Sequence, residues 1–378
     1  MDLLNVLDQL RAQLRIAVVF GGNRHLDGAV ISPGHNPRSD KTYESVAADI
    51  AASLTRSGFS HVELMPEDMA LGERLRQFGA NFAWLNSGGT QGYASVAHGP
   101  SMLEMFGIPY VGHNPLNAAV LDNKHAFKYA LQGLGLPTPR FIVIHFGETL
   151  GTFGVRNRFQ TVFGDGAGPF VVKPVSGRAS LHVHLVERRQ DLEAVVRDVH
   201  AATENAVTVE EFMPGREYCI GVCGPLVVKG GAPTRLDLPF CFSGLERVLE
   251  AGERIFTSMD VKPISSARFR SLDNGDDAEI SRQLVHLGEA IYNAFNLETA
   301  VRLDVRADAQ GNLSVLEANP KPDLKYPKDG QVSLITTGLA QHGMSYDDLI
   351  LSLLVNRVDF LVTRRPSGAS NILRILKG

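Results

Sequence analysis

Two short segments hold the residues best suited to chemistry: Val301-Arg302-Leu303-Asp304-Val305-Arg306 and Val315-Leu316-Glu317-Ala318-Asn319-Pro320. Alternate residues of a strand face opposite ways, so Arg302, Asp304 and Arg306 share one face while Val301, Leu303 and Val305 share the other. Glu317 and Asn319 pair up likewise on the second segment. A turn centred near Gln310 and Gly311 joins the two as an antiparallel hairpin, with Asp304 opposite Glu317 and Arg302 opposite Asn319. Like charges facing each other across a strand pair repel, so the arrangement requires a cation, a shared proton or the nearby arginines as compensation. The oxygen-only set Asp304, Glu317 and Asn319 suits a hard divalent ion such as magnesium, with manganese as an alternative, whereas zinc calls for His or Cys. The spacing alone equally admits a solvated face with an ordinary Arg/Asp/Glu ion-pair ladder.

The rest of the chain must position such a hairpin. With 378 residues, 44% of them apolar, the chain is long enough for two or three domains. A net charge of −4 without Lys/Arg clusters gives no electrostatic footprint for nucleic acid or an anionic membrane, which leaves small molecules as the expected partners. The three cysteines, Cys219, Cys223 and Cys241, form no CxxC and cannot all pair, which fits a reducing compartment. No secretory signal opens the chain and no run of about 18 apolar residues occurs, so a cytoplasmic protein is the simplest expectation.

The first third alternates strands near Ile16 to Phe20, Val62 to Met65, Phe82 to Leu85 and Ile108 to Val111 with helical stripes, one through Val46, Ile50 and Leu54 and another near Ser101 to Phe106. That pattern predicts a Rossmann-like βαβ domain with a parallel sheet over residues 1–120. Such sheets bind ligands beyond the carboxyl ends of their strands, where Gly22, Asn23, Gly88 and Gly89 fall; these four are candidate substrate contacts. The glycines also serve simply as tight strand-to-helix turns. No GxGxxG follows the first strand, so a dehydrogenase reading lacks its warrant. Beyond a helix near Asn123 to Gly133, strands are predicted at Phe141 to Ile144, Phe170 to Lys173, His182 to Val186, Val207 to Glu211 and Glu217 to Val222, giving a central α+β lobe over 121–224. A C-terminal lobe over 225–378 opens with a long loop or lid from about Phe242 to Asp277. It continues through a helix near Ile280 to Phe295, the hairpin, and helices near Ser333 to Gln341 and Tyr346 to Val355.

Four motifs in this order resemble the ATP-grasp superfamily and, within it, the D-alanine:D-alanine ligase branch of carboxylate–amine ligases; the likeness spans Ile16 to Val355. The first is Leu121-Asp122-Asn123-Lys124. The second is Pro169-Phe170-Val171-Val172-Lys173-Pro174 followed by Ser176-Gly177-Arg178-Ala179-Ser180. The third is Val209-Glu210-Glu211-Phe212-Met213-Pro214-Gly215-Arg216-Glu217. The fourth is the hairpin itself. The resemblance implies an ATP-grasp fold, α/β and α+β in several domains. It implies that Lys124 and Lys173 contact nucleotide phosphate, that the loop through Ser180 closes over it, and that Glu210, Glu211, Met213 and Glu217 form the adenine and ribose edge. It further implies that Asp304, Glu317 and Asn319 hold two magnesium ions on ATP, and that Arg302 steadies an acyl phosphate and the tetrahedral intermediate that follows.

The implied activity joins a small-molecule carboxylate to an amine at the expense of ATP, on amino acids or a small natural-product acid. D-alanine dimer synthesis proper is one alternative, and a phosphotransferase or non-catalytic nucleotide-binding module on the same scaffold is another. A homodimer is left open. The substrate segments depart from the branch. Asn23-Arg24-His25 replaces the Glu-containing stretch after the first strand, and Asn86-Ser87-Gly88-Gly89 stands for the His-Gly loop. The Lys-Tyr pair of the lid is not evident, and Pro320-Lys321-Pro322-Asp323-Leu324-Lys325 replaces Pro-Gly-Met. Lys321 or Lys325 is therefore a candidate for gripping a substrate carboxylate, against the plainer alternative of a solvated loop.

Overall fold

The computed structural model describes residues 3–22, 42–90, 92–177, 180–256, 265–273, 275–328, 333–365 and 372–374. Asn23 lies outside the described residues.

Strands β1 (Arg15–Gly21), β2 (His61–Glu67), β3 (Phe82–Asn86) and β4 (Tyr110–Val111) form a parallel sheet in the order β2-β1-β3-β4. The apolar runs of β1 and β3 are buried on both faces because helices cover both, as parallel sheets require. Helices α1 (Leu3–Gln13) and α2 (Glu44–Arg56) pack on one face, α3 (Leu71–Phe78) and α4 (His98–Met105) on the other. The carboxyl edge of this sheet presents Gly22, Glu67, Asn86 and Gly112.

Helices α5 (Pro115–Asp122) and α6 (Lys124–Gly133) follow, with Asn123 capping α6 by accepting from the Ala126 amide. The central sheet runs β5-β8-β6-β7, built from β5 (Phe141–Ile144), β6 (Phe170–Pro174), β7 (His184–Val186) and β8 (Val207–Glu211), all pairs antiparallel. Helices α7 (Phe153–Phe163) and α8 (Leu192–Thr203) cover one face of it. The α7 helix adds to the elements expected from sequence, although its buried Val155, Phe159 and Phe163 follow an i, i+4, i+8 stripe.

The third sheet runs β13-β12-β9-β14-β15: β9 (Glu217–Cys223), β12 (Phe240–Arg247), β13 (Phe269–Ser271), β14 (Val301–Ala307) and β15 (Leu313–Asn319). Helix α9 (Ala278–Ala294) backs it, and the small hairpin of β10 (Leu226–Lys229) and β11 (Ala232–Arg235) packs on α10 (Tyr346–Arg364), whose apolar face joins the α2 side of the first domain. Three expectations are corrected here. The stretch from Phe242 to Asp277, read as a loop or lid, contains most of β12 and all of β13; its polar Ser243, Glu246 and Arg247 interrupt the apolar alternation that marks a strand. Strand β9, grouped with the central lobe by sequence, pairs with β12 and β14 and so belongs to the third sheet. The helix expected from Ser333 to Gln341 is a run of turns with a short 3₁₀ segment, Leu339–His342, where two threonines and Gly338 disfavour an α-helix.

Candidate active site

The hairpin pairs as its alternation predicts. Asp304 lies opposite Glu317 and Arg302 opposite Asn319, with the chain reversing through Asp308 to Asn312. One detail was not foreseen: the register shifts between Asp304 and Val305, so Val305 pairs with Val315. Leu313, Val315, Glu317 and Asn319 share parity in a regular strand, which would turn Val315 toward the charges. The bulge at Leu316 reverses the alternation, so Leu313 and Val315 enter the core with Val301, Leu303 and Val305 while Glu317 faces the site.

The neighbouring strands work by the same alternation. On β6, Phe170 and Val172 pack into the central core while Val171 and Lys173 line a cleft; on β8, Val207 and Val209 are core and Glu210 is cleft. The cleft lies between the central and third sheets. It is lined by Lys124, Lys173, Ser180, Glu210, Glu211, Met213, Glu217, Asp304 and Glu317. Strands far apart in sequence thus bring together nearly every residue expected at a nucleotide site.

Its charges are closely compensated. Asp304 is buried and takes a bidentate interaction from Arg302, at 2.8 Å from Nε and 3.0 Å from Nη2, plus 2.9 Å from Arg247 Nη2. Asn319 Nδ2 donates to the same carboxylate at 3.3 Å. Burial alone raises a carboxyl pKa, but Arg247 and Arg302 outweigh it and hold Asp304 well below the usual range, so it is ionised. Glu317 meets Lys124 at 3.3 Å, and the same ammonium donates to the Gly177 carbonyl at 3.0 Å. Glu210 sits between Lys173 and Lys128, each at 3.1 Å, and accepts from Thr208 at 3.1 Å. Burial lowers the Lys128 pKa to about 8 and works against ionised Glu210, yet the two lysines hold Glu210 below its ordinary value. Glu217 is flanked across strands by Arg247 and Arg306, at 2.8 and 3.2 Å, which are its register partners on β12 and β14. Glu211 turns aside to Arg140, and Ser180 reaches the Phe256 carbonyl at 3.4 Å.

Six basic side chains, Lys124, Lys128, Lys173, Arg247, Arg302 and Arg306, thus face four carboxylates. The excess of two positive charges suits a polyanion. Sequence reasoning missed two of the six. Lys128 stands one helical turn beyond Lys124 on α6, a spacing that places both on one face and was available as a signal. Arg247 had no such signal, because its strand was read as loop. The oxygen donors Asp304, Glu317 and Asn319 fit a hard divalent cation by chemistry and by their mutual facing. Among the described residues no cluster of three His, Cys, Asp or Glu side chains forms an independent metal site.

The residues expected to contact substrate sit on loops. An added Cβ on Gly22 would collide with the Glu67 carbonyl, and Gly89, at φ +83°, packs against the Ser95 backbone, so both glycines permit close approach of backbone. Gly88 accepts from the Ser95 hydroxyl at 3.2 Å. Lys321 lies with its ammonium 3.4 Å from the centre of the Tyr43 ring, and Asn86 donates to the Tyr43 carbonyl at 3.1 Å. A small cavity here is lined by Asn86, Gly112, Thr299, Ala300 and Lys321 among others. Lys325 instead pairs with Asp323 at 2.9 Å. No helix among the described residues is long and apolar enough to cross a membrane.

Known proteins match this architecture. The D-alanine–D-alanine ligase of Pseudomonas entomophila is 27% identical over 357 residues, covering 94% of this chain and 97% of the relative. That of Halorhodospira halophila is 28% identical over 334 residues, covering 86% and 94%. The crystal structure of the Bacillus anthracis D-alanine–D-alanine ligase complexed with ATP superimposes with a TM-score of 0.62 at 21% identity, covering 92% of this chain and 99% of that one. The VanG D-Ala:D-Ser ligase of Enterococcus faecalis gives 0.63 at 17%, covering 91% and 100%. The fold is therefore that of the ATP-grasp ligases. The family model described as the D-ala D-ala ligase C-terminus matches residues 130–355, more than half of the chain, and the chain belongs to that family of ATP-dependent carboxylate–amine ligases.

Proposed function

We propose that the chain ligates two small amino acids, with D-alanine as both the carboxylate donor and the amine acceptor. Relatives aligned over 94% of the chain bear that activity in their names, which supports this narrower reading over a broad natural-product ligase. The structural observation that carries the chemistry is the hairpin pairing of Asp304 with Glu317, beside Arg302 and above the lysine-lined cleft.

In this reading Lys124 and Lys173 neutralise nucleotide phosphate, while Met213 and the β8 edge bind the base and Glu217 the ribose. Asp304, Glu317 and Asn319 hold divalent metal, magnesium in our reading, which when bound screens the charge of the transferring phosphoryl group. The donor carboxylate attacks the γ-phosphorus, ADP leaves and an acyl phosphate forms. The acceptor amine then attacks the acyl carbon, Arg302 stabilises the oxyanion, and phosphate departs as the amide forms and the amine loses a proton. The buried cleft limits the competing attack of water.

A second reading keeps this chemistry but changes the acceptor. Lys321 over Tyr43, in the wall after Asn319, supports it as a cation beside the small cavity, available to a carboxylate or polar side chain of an acceptor. Incubation of the protein with ATP, magnesium and D-alanine, alone and with pooled amino acids, followed by phosphate assay and product masses, tests both. D-alanyl-D-alanine is the expected product; a mixed amide without it favours the second reading, and phosphate without any amide sinks both.

A further inference from the structure

The small cavity beside Lys321 is enclosed by three parts of the chain. Asn86 and Gly112 come from the carboxyl edge of the first sheet, Thr299 and Ala300 from the entry to β14, and Pro320 and Lys321 from the segment that leaves β15. Sheets of this kind bind ligands at that edge. Ala300 stands two residues before Arg302 and Pro320 follows Asn319, so the cavity adjoins the hairpin that carries Arg302, Asp304 and Glu317. Its width depends on how far the 320–328 segment stands from the first domain.

Residues 320–327 belong to no helix or strand, so side chains must hold them in place. On the C-terminal side, three successive carbonyls accept from hydroxyls: Asp323 from Ser333, Leu324 from Tyr346 at 2.8 Å and Lys325 from Thr336 at 3.1 Å. On the side of the first domain the anchor is helix α2. Asp49 Oδ2 accepts from the Tyr326 amide at 3.1 Å, and Oδ1 accepts from Lys328 Nζ at 3.0 Å. Arg56, two turns further along the same face of α2, places its guanidinium carbon 5.4 Å from the centre of the Tyr326 ring and pairs with Asp347 at 2.7 Å. At the other end of the segment, Lys321 lies over Tyr43, which caps the start of α2. One carboxylate of α2 therefore fixes both a backbone point and a side-chain point of the wall, and its side chain is only 15% exposed.

We infer that Asp49 is a positioning residue for the acceptor amino acid: by holding Tyr326 and Lys328 it sets the distance of the 320–328 wall from the first sheet, and so limits the size of acceptor side chain that the cavity admits. Asp49 acts through the wall and not on the reacting atoms. The inference rests on the reading of this cavity as part of the amino-acid site. A carboxylate that merely stitched two domains together would alter stability without altering which acceptor is used.

The full chain as wild type, Asp49→Ala and Asp49→Asn is compared with ATP, magnesium and D-alanine, alone and in competition with D-valine, by steady-state kinetics and product masses. Asp49→Ala is expected to raise the apparent KM for D-alanine about tenfold with the KM for ATP unchanged, and to raise the ratio of D-alanyl-D-valine to D-alanyl-D-alanine at least about fivefold. Asp49→Asn keeps an oxygen acceptor for the Tyr326 amide and is expected to recover most of both properties. Should the Ala variant fail to fold, Lys328→Met decides by the same two readouts, with a change of about threefold expected in each. An unchanged KM for D-alanine and an unchanged product ratio in folded Asp49→Ala, or in Lys328→Met where it stands alone, overturn the inference while leaving the ligase reading intact. A wild type that forms no amide overturns the ligase reading and this inference with it, an outcome the wild type alone identifies.

Discussion

Around the proposed nucleotide cleft, Glu217, Arg247, Arg306, Asp304 and Glu317 are placed by strand register, whereas Lys124 and Lys128 come from helix α6. Glu217 stands between Arg247 and Arg306, and Asp304 stands opposite Glu317, because β12, β9, β14 and β15 are hydrogen-bonded neighbours. On the proposed substrate side, Gly22, Gly89 and Lys321 are placed by loops at strand ends, and their surroundings are an aromatic ring, a backbone carbonyl and a small cavity. The difference shows how such an enzyme divides its work. Sheet register holds charges in fixed geometry, while loops, which tolerate change, hold the groups proposed to choose among substrates.

Five changes break or sharpen that contrast. The largest effect is expected from Asp304→Asn, which removes the central carboxylate of the register-built wall. ATP-dependent phosphate release should fall at least about a thousandfold with circular dichroism unchanged; a variant retaining a tenth of the activity would remove Asp304 from the metal set. Arg302→Lys keeps the charge but loses the bidentate fork. It should lower kcat about a hundredfold or more with little change in the KM for ATP, as measured by steady-state kinetics.

Lys128→Met tests whether buried pairing holds this wall together. Glu210 is buried between two lysines, so losing one should cost about 3 kcal/mol in urea-induced unfolding, and a cost under about 1 kcal/mol would show that Lys173 alone suffices.

Glu67 tests the other wall, at the carboxyl edge of the first sheet. Burial pushes its pKa up to about 7, only partly opposed by a hydrogen bond with Ser87. A carboxyl group that binds its proton more tightly when folded stabilises the protein below its unfolded pKa, near 4.5, and loses that contribution as pH rises through about 7. Glu67→Gln should therefore gain on wild type by about 2–3 kcal/mol between pH 4.5 and 8, read as a widening gap in Tm. A gap independent of pH would mean that Glu67 titrates normally. The smallest effect is expected from Lys321→Ala, a KM increase of about tenfold for the acceptor with the KM for ATP unchanged. Equal changes in both constants would erase the division at Asn319.

The nucleotide wall was legible because its signals are local. Alternation of apolar and charged residues around Asp304 and Glu317, and the strand that ends in Lys173, are properties of six or seven consecutive residues. The unforeseen parts depend on neighbours distant in the chain. Arg247 was hidden because β12 is a strand only in the company of β9 and β13, and its polar residues face a cleft that a single segment does not reveal. The bulge at Leu316 was hidden because parity within β15 looks regular until β14 and the core require otherwise.

By itself, then, the chain determined that Asp304 and Glu317 face each other and Arg302 faces Asn319, since period-2 geometry and a short turn bring those pairs opposite, while the bulge at Leu316 that sends Val315 to the core was decided by the sheet. The tertiary structure alone decided which cations answer those carboxylates. Lys124 reaches Glu317 from 193 residues away in the chain, and Arg247 reaches Asp304 from another strand of the sheet. A buried charge takes its partner from whatever packing brings within about 4 Å, and that is set by how sheets and helices stack rather than by the order of residues.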